Sequence, residues 1–241
     1  MAETHTEPSS FHGFEPDALQ FLADLAENNE RSWFQPRKAD YERLIKEPFE
    51  VLCAALADRF AARGLPLLAD PARSPFRIYR DVRFSKDKSP YKTAQGAQFP
   101  WQGANAGDRT RVGVGGYFHL EPGSIFVGGG MWHPDPAVLA AFREQVDRDP
   151  GSVLAAIEDE RFRAVFGTVS GESLARNPRG YPADHPRGDL LRLKDVVFSR
   201  RLSDADVSTP ELPDRIAADL DAARPVLHLL ANLAVGANDA G

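Results

Sequence analysis

Arg111-Val112-Gly113-Val114-Gly115-Gly116-Tyr117-Phe118-His119-Leu120-Glu121-Pro122-Gly123-Ser124-Ile125-Phe126-Val127-Gly128-Gly129-Gly130-Met131 is the stretch that decides the fold class. Arg111 to Leu120 reads as a strand, with Val112, Val114, Phe118 and Leu120 mostly on one side and Tyr117 and His119 on the other. Glu121-Pro122-Gly123-Ser124 carries proline second and glycine third, a type II turn signal. Ile125 to Met131 is then the return strand of an antiparallel hairpin. Gly128-Gly129-Gly130 is unusual there, because three glycines weaken a strand. Such a run marks a bulge or a close approach, by another backbone or by a ligand. His119, with Glu121 two residues on, shares a face with Tyr117 and suits a base; it equally suits an ordinary structural histidine. No second histidine lies at a ligand spacing, so no metal site is expected.

Moving toward the N-terminus, Gly96-Ala97-Gln98-Phe99 reads as a short strand, and Pro100 to Arg109 as a loop. Before them comes the chain's strongest charge reversal. Arg73 to Lys92 holds seven cations against two anions, net +5 in a chain of net charge −6, which leaves −11 for the remainder. Such a reversal is self-repulsive unless anions gather round it. Arg77 to Phe84 alternates as a strand, with Ile78, Arg80, Val82 and Phe84 on one face and Arg77, Tyr79, Asp81 and Arg83 on the other. An arginine on the apolar face, Arg80, requires an acidic or carbonyl partner. Ser85 to Ser89 is a turn closed by Pro90.

Two readings of this element stay open. Arg77, Arg80, Arg83, Lys86, Lys88 and Lys92, with Tyr79 or Tyr91 as a flat contact and Gly129 as a close approach, form a site for a phosphate or carboxylate. Alternatively the hairpin is a structural set of ion pairs.

Helices flank this central part. Pro16 opens one that ends at Asn28-Asn29. A second is stepped at Pro36 and Pro48 and stops at Gly64, carrying the stripe Phe49, Leu52, Cys53, Leu56 and Phe60. Beyond the hairpin, helices begin at Pro136 and Pro150. Asn177 to Gly188 is a loop. Val196 to Phe198 is a strand ended by Arg200-Arg201, and Ser203 to Asp206 resembles a helix cap. A C-terminal helix restarts at Pro225 and ends at Gly236.

With 241 residues, 42% hydrophobic and 27% charged, the chain is of the soluble globular class. Its acidic balance argues against general nucleic-acid binding. One cysteine, Cys53, excludes an internal disulfide. No apolar run is long enough to span a membrane. Residues 1–10 read as a disordered tail on a single domain of 11–236, in the cytoplasm. No phosphate loop, dinucleotide fingerprint, nucleophile elbow or H-E-x-x-H motif occurs, and no cofactor is expected.

Phe11-His12-Gly13-Phe14, Asn28-Asn29 with Trp33-Phe34, the run Arg77 to Lys92, and His119 to Gly123 with the triple glycine together resemble one family. It is the conserved-hypothetical family catalogued as domain of unknown function 2461, and the resemblance covers about residues 11–235. It implies a single-domain, bacterial-type cytoplasmic protein. It implies no particular reaction and carries over no catalytic residue.

The expectation is an α+β fold, a mainly antiparallel sheet of about five strands flanked by N- and C-terminal helices. The expected role is binding of an anionic small molecule through the basic hairpin. The alternatives are a nucleic-acid or protein adaptor using that surface, and a hairpin with no ligand. If the protein is an enzyme, His119, Glu121, Asp81 and Tyr79 are its proton-transfer groups. Substrate, strand order and oligomeric state are not legible.

Overall fold

The structure is a computed structural model describing residues 10–83, 85–104 and 113–239, with side chains to residue 237. The expected tail, Phe84, the end of the loop after Pro100, and the start of the strand at Arg111 lie outside the described residues, apart from Ser10.

The helices come in two groups around the sheet. First are α1 (Pro16–Glu27), α2 (Arg31–Phe34), α3 (Lys38–Tyr41) and α4 (Glu47–Ala62). The strands β1 (Gln95–Pro100), β2 (Val114–Leu120) and β3 (Ile125–Met131) follow. Then come α5 (Pro136–Arg148), α6 (Pro150–Ile157), α7 (Glu160–Phe166) and α8 (Gly188–Leu191). Last are β4 (Val196–Leu202), α9 (Asp204–Val207), α10 (Leu212–Ala222) and α11 (Arg224–Asp239). The fold is α+β, one antiparallel sheet in the order β1-β2-β3-β4.

Local sequence accounts for most boundaries. The Pro122-Gly123 turn closes with Ser124 N–H donating to the Glu121 carbonyl at 2.9 Å, Gly123 at φ 74°. A 3-10 turn at Gln35–Arg37 absorbs Pro36, and a π turn at Glu42–Lys46 lies just before Pro48. Both let the chain continue where proline withholds an N–H. Ser203 and Asp206 cap α9 reciprocally.

Two expectations need correction, and the strand count of about five is refined to four. The sheet has four strands, because the Arg77 run joins its return arm only by a bridge, Tyr79 to Tyr91. Arg80 N–H donates to the Pro90 carbonyl at 3.0 Å, but Pro90 has no N–H to return. Asn29 takes the outer side of Tyr91, accepting its N–H and donating to its carbonyl, each at 3.0 Å. β4 runs through Arg200 and Arg201 to Leu202, since Arg200 is held by Asp219 of α10 at 2.7 Å. Gly236 does not end α11, which reaches Asp239; one exposed glycine costs a helix only about 1 kcal/mol.

The two faces of the sheet differ. Val114, Phe118 and Leu120 of β2 and Val127 and Met131 of β3 are buried on one face, against α10 and α11 among others. Gly116 belongs there too: a methyl group at its Cα would run into the Leu220 side chain. Phe118 sits at the centre, with the Phe14 and Phe49 rings 6.2 and 5.7 Å away.

Candidate functional site

The other face of the sheet opens onto a cavity. By alternation and register it presents Gly96, Gln98 and Pro100 from β1, Gly115, Tyr117 and His119 from β2, Phe126, Gly128 and Gly130 from β3, and Val197 and Ser199 from β4. All of them line a cavity of about 1770 Å³. Its rim carries the basic hairpin, through Arg80, Asp87, Ser89, Tyr91 and Lys92, and also Trp132, just past the end of β3.

The middle of this floor is bare by necessity. A Cβ at Gly115, Gly128 or Gly130 would run into the backbone carbonyl of Phe99, Phe198 or Val196 on the adjoining strand. Gly130 also sits at φ 117°, where L side chains are strained. The glycine run therefore has a structural cause, the close approach of neighbouring backbones, and the consequence is a stretch of cavity wall without side chains.

At one end of the floor Tyr117, His119 and Glu121 form a hydrogen-bonded row. The Tyr117 hydroxyl is 3.0 Å from His119 Nδ1, and His119 Nε2 is 3.1 Å from Glu121 Oε2. Side-chain exposure rises outward, 17% at His119 and 38% at Glu121. With Glu121 accepting from Nε2–H, Nδ1 is left to accept from the Tyr117 hydroxyl. Phe126 stacks on the His119 ring at 4.7 Å and holds it in place. Such a row can pass a proton between solvent and a molecule at Tyr117.

Burial, with the Glu121 charge second, pushes the Tyr117 phenol up from 10.0 to about 12. A raised folded-state value contributes stability that is complete below pH 10 and lost as pH rises through 12. The loss is about 2–3 kcal/mol. Urea unfolding below pH 10 and near pH 12 is expected to show wild type losing that much more than Tyr117→Phe; equal losses would contradict the assignment.

Lys92 stands across Phe76 from Tyr117. Its ammonium lies 4.9 Å from the Phe76 ring centroid, and that ring is 5.9 Å from Tyr117, so lysine and phenol share one aromatic neighbour. Burial, with the Arg77 charge second, pushes the ammonium below its ordinary value. Among the described residues no carboxylate pairs with it. Beside it Tyr91 is 1% exposed, and its hydroxyl has no hydrogen-bond partner among the described residues. The Gln98 side-chain amide has none either among the described residues.

A family model for conserved hypothetical proteins, DUF2461, matches residues 17–229. The chain belongs to the DUF2461 family. No curated protein and no solved structure matches it. In this DUF2461 chain the charge-bearing residues singled out by sequence separate into two groups. Arg80 is bound to Asp87, and Arg83 forks onto Asp81 with its shortest bond at 2.6 Å. Lys88 donates to the Val82 carbonyl at 2.9 Å, and Lys86 is exposed. Lys92 lines the cavity, and Arg77 acts on it electrostatically. Gly129 turns its missing side chain toward the Phe198 ring and the Gly115 carbonyl.

Of the proton-transfer candidates, His119 and Glu121 come together around Tyr117. Asp81 and Tyr79 do not join them. Asp81 is engaged by Arg83, whose hydrogen bonds hold its carboxyl down at about 2, and Tyr79 packs on Tyr91 and Phe34. No group of three or more potential metal ligands occurs among the described residues. No helix of the described residues is long and apolar enough to cross a membrane. Sequence reasoning missed Gln98 and Trp132, which have no local signal and reach the site through strand register.

Proposed function

We propose that this protein binds a small phosphate- or carboxylate-bearing molecule in the cavity over the bare sheet face, with the anion at Lys92. The observation that carries this reading is a half-buried ammonium in the cavity wall with no carboxylate among the described residues to offset it. Burying an unpaired charge is unfavourable, and a ligand anion removes that cost. Arg77 adds field; Tyr91 supplies a buried hydroxyl with no partner among the described residues, and the Gln98 amide also lines the cavity. Tyr117, backed by His119 and Glu121, is the group we assign to proton transfer if the ligand is a substrate. A cytoplasmic setting is in keeping with a lone, buried cysteine.

Thermal denaturation against a panel of nucleotides, sugar phosphates and small carboxylic acids tests this. At least one class is expected to raise the melting temperature saturably. No shift across the whole panel would count against it.

The outer side of the hairpin favours a second reading. Arg77, Lys86 and Lys88 are exposed there with Tyr79, 46% exposed, as an adaptor surface would require. Complexes made that way with nucleic acid would weaken steeply as salt rises.

A further inference from the structure

We propose that the ligand is a nucleoside phosphate, its planar base lying over the glycine floor in the slot between Trp132 and Tyr117. This rests on the anion reading above and adds the chemistry of the ligand's other end.

Three features of the cavity point to a ring. Gly128, Gly130 and Trp132 all line the cavity, so the indole and the glycines belong to one wall. Trp132 is 53% exposed, a large apolar surface left open inside a cavity. Trp132 follows Gly128, the partner of Tyr117, by four residues, a backbone reach of at most about 13 Å, which leaves room for a base between the two side chains.

The indole is held, not merely left out. His133, next in sequence, is the one non-glycine residue at positive φ among the described residues, at 47°. The buried Asp195 carboxylate accepts its N–H at 2.6 Å. The His133 ring lies 4.1 Å from the indole. A strained backbone maintained by a buried carboxylate is the kind of expense found where a side chain has to be aimed.

Polar atoms for the edges of a base flank the slot. Gln98 pairs across the sheet with Tyr117, and its amide is unbonded among the described residues; Ser199 pairs with Gly128 from the other side. An amide that both donates and accepts matches a heterocycle edge better than a plain hydrocarbon ring. Lys92, beyond Phe76, takes the phosphate.

Calorimetric titration of the full chain with the four common nucleoside monophosphates, and with ribose phosphate as the control lacking a base, tests the proposal. At least one nucleotide is expected to bind about tenfold or more tighter than ribose phosphate. Trp132→Ala is expected to bring that nucleotide close to the ribose phosphate level and leave ribose phosphate itself unchanged, while Trp132→Phe keeps most of the gain. Because Trp132 is exposed, neither variant threatens folding. Nucleotides no tighter than ribose phosphate, or a Trp132→Ala variant that binds them as well as wild type, would overturn the base assignment and leave the anion reading standing. If neither kind of compound binds, the nucleoside phosphate falls and with it the phosphate form of the anion reading, whose carboxylate form the thermal panel decides.

Discussion

Phe118→Ala is expected to lower the unfolding free energy by about 3–5 kcal/mol. Phe118 is fully buried at the middle of β2 and touches the ring cluster of Phe14 and Phe49, which joins the N-terminal segment and α4 to the sheet. Truncation there removes apolar contact from both layers and leaves a cavity that rigid strand and helix backbones cannot close. Set against total stabilities of about 5–15 kcal/mol, this is a large fraction. Phe126→Ala makes the control, since Phe126 stands on the opposite, cavity-lining face and is only half-buried. Its cost is expected to be clearly smaller. Urea midpoints for both variants check the sidedness of the sheet; equal losses would mean that both faces are packed alike.

Lys92→Met is expected to weaken ligand binding about a hundredfold or more while leaving the empty protein as stable as wild type or more so. Methionine keeps an apolar stem of similar length beside Phe76 and removes the charge. A structural lysine would behave the other way, losing stability on substitution with no effect on a ligand. The opposed signs separate the two roles, and thermal melts with and without the best compound from the panel read both. A destabilised variant that still binds would remove Lys92 from the site.

Much of the fold was legible because its signals are local. Proline at the second position and glycine at the third of Glu121–Ser124 dictate one turn, and that turn fixes the pairing of β2 with β3. Pro16, Pro136 and Pro150 each open a helix. The basic run misled as to strand count because its alternation is genuine, with Ile78 buried and Tyr79 exposed, while Pro90 and the Asn29 side chain keep a second ladder from extending.

The site was legible in part. His119 and Glu121 lie two apart on one strand, so alternation alone places them together. The arginines of the hairpin were harder to read, since Arg80 and Arg83 find their carboxylates within the same loop, at Asp87 and Asp81. Spacing reveals which charges are near each other but not which are consumed. Lys92 stands out only once burial is known. Gln98 arrives from β1 and Trp132 from just past β3, a juxtaposition that no local window contains.

The site at Lys92 is tested most directly by following its side-chain ammonium by NMR as pH is raised, with and without saturating amounts of the phosphate or carboxylate compound that most stabilises the protein. Without ligand, the ammonium is expected to lose its proton below the ordinary lysine range; with the anion bound, that value should rise. A Lys92 that titrates as an ordinary exposed lysine and does not respond to the compound would contradict the site.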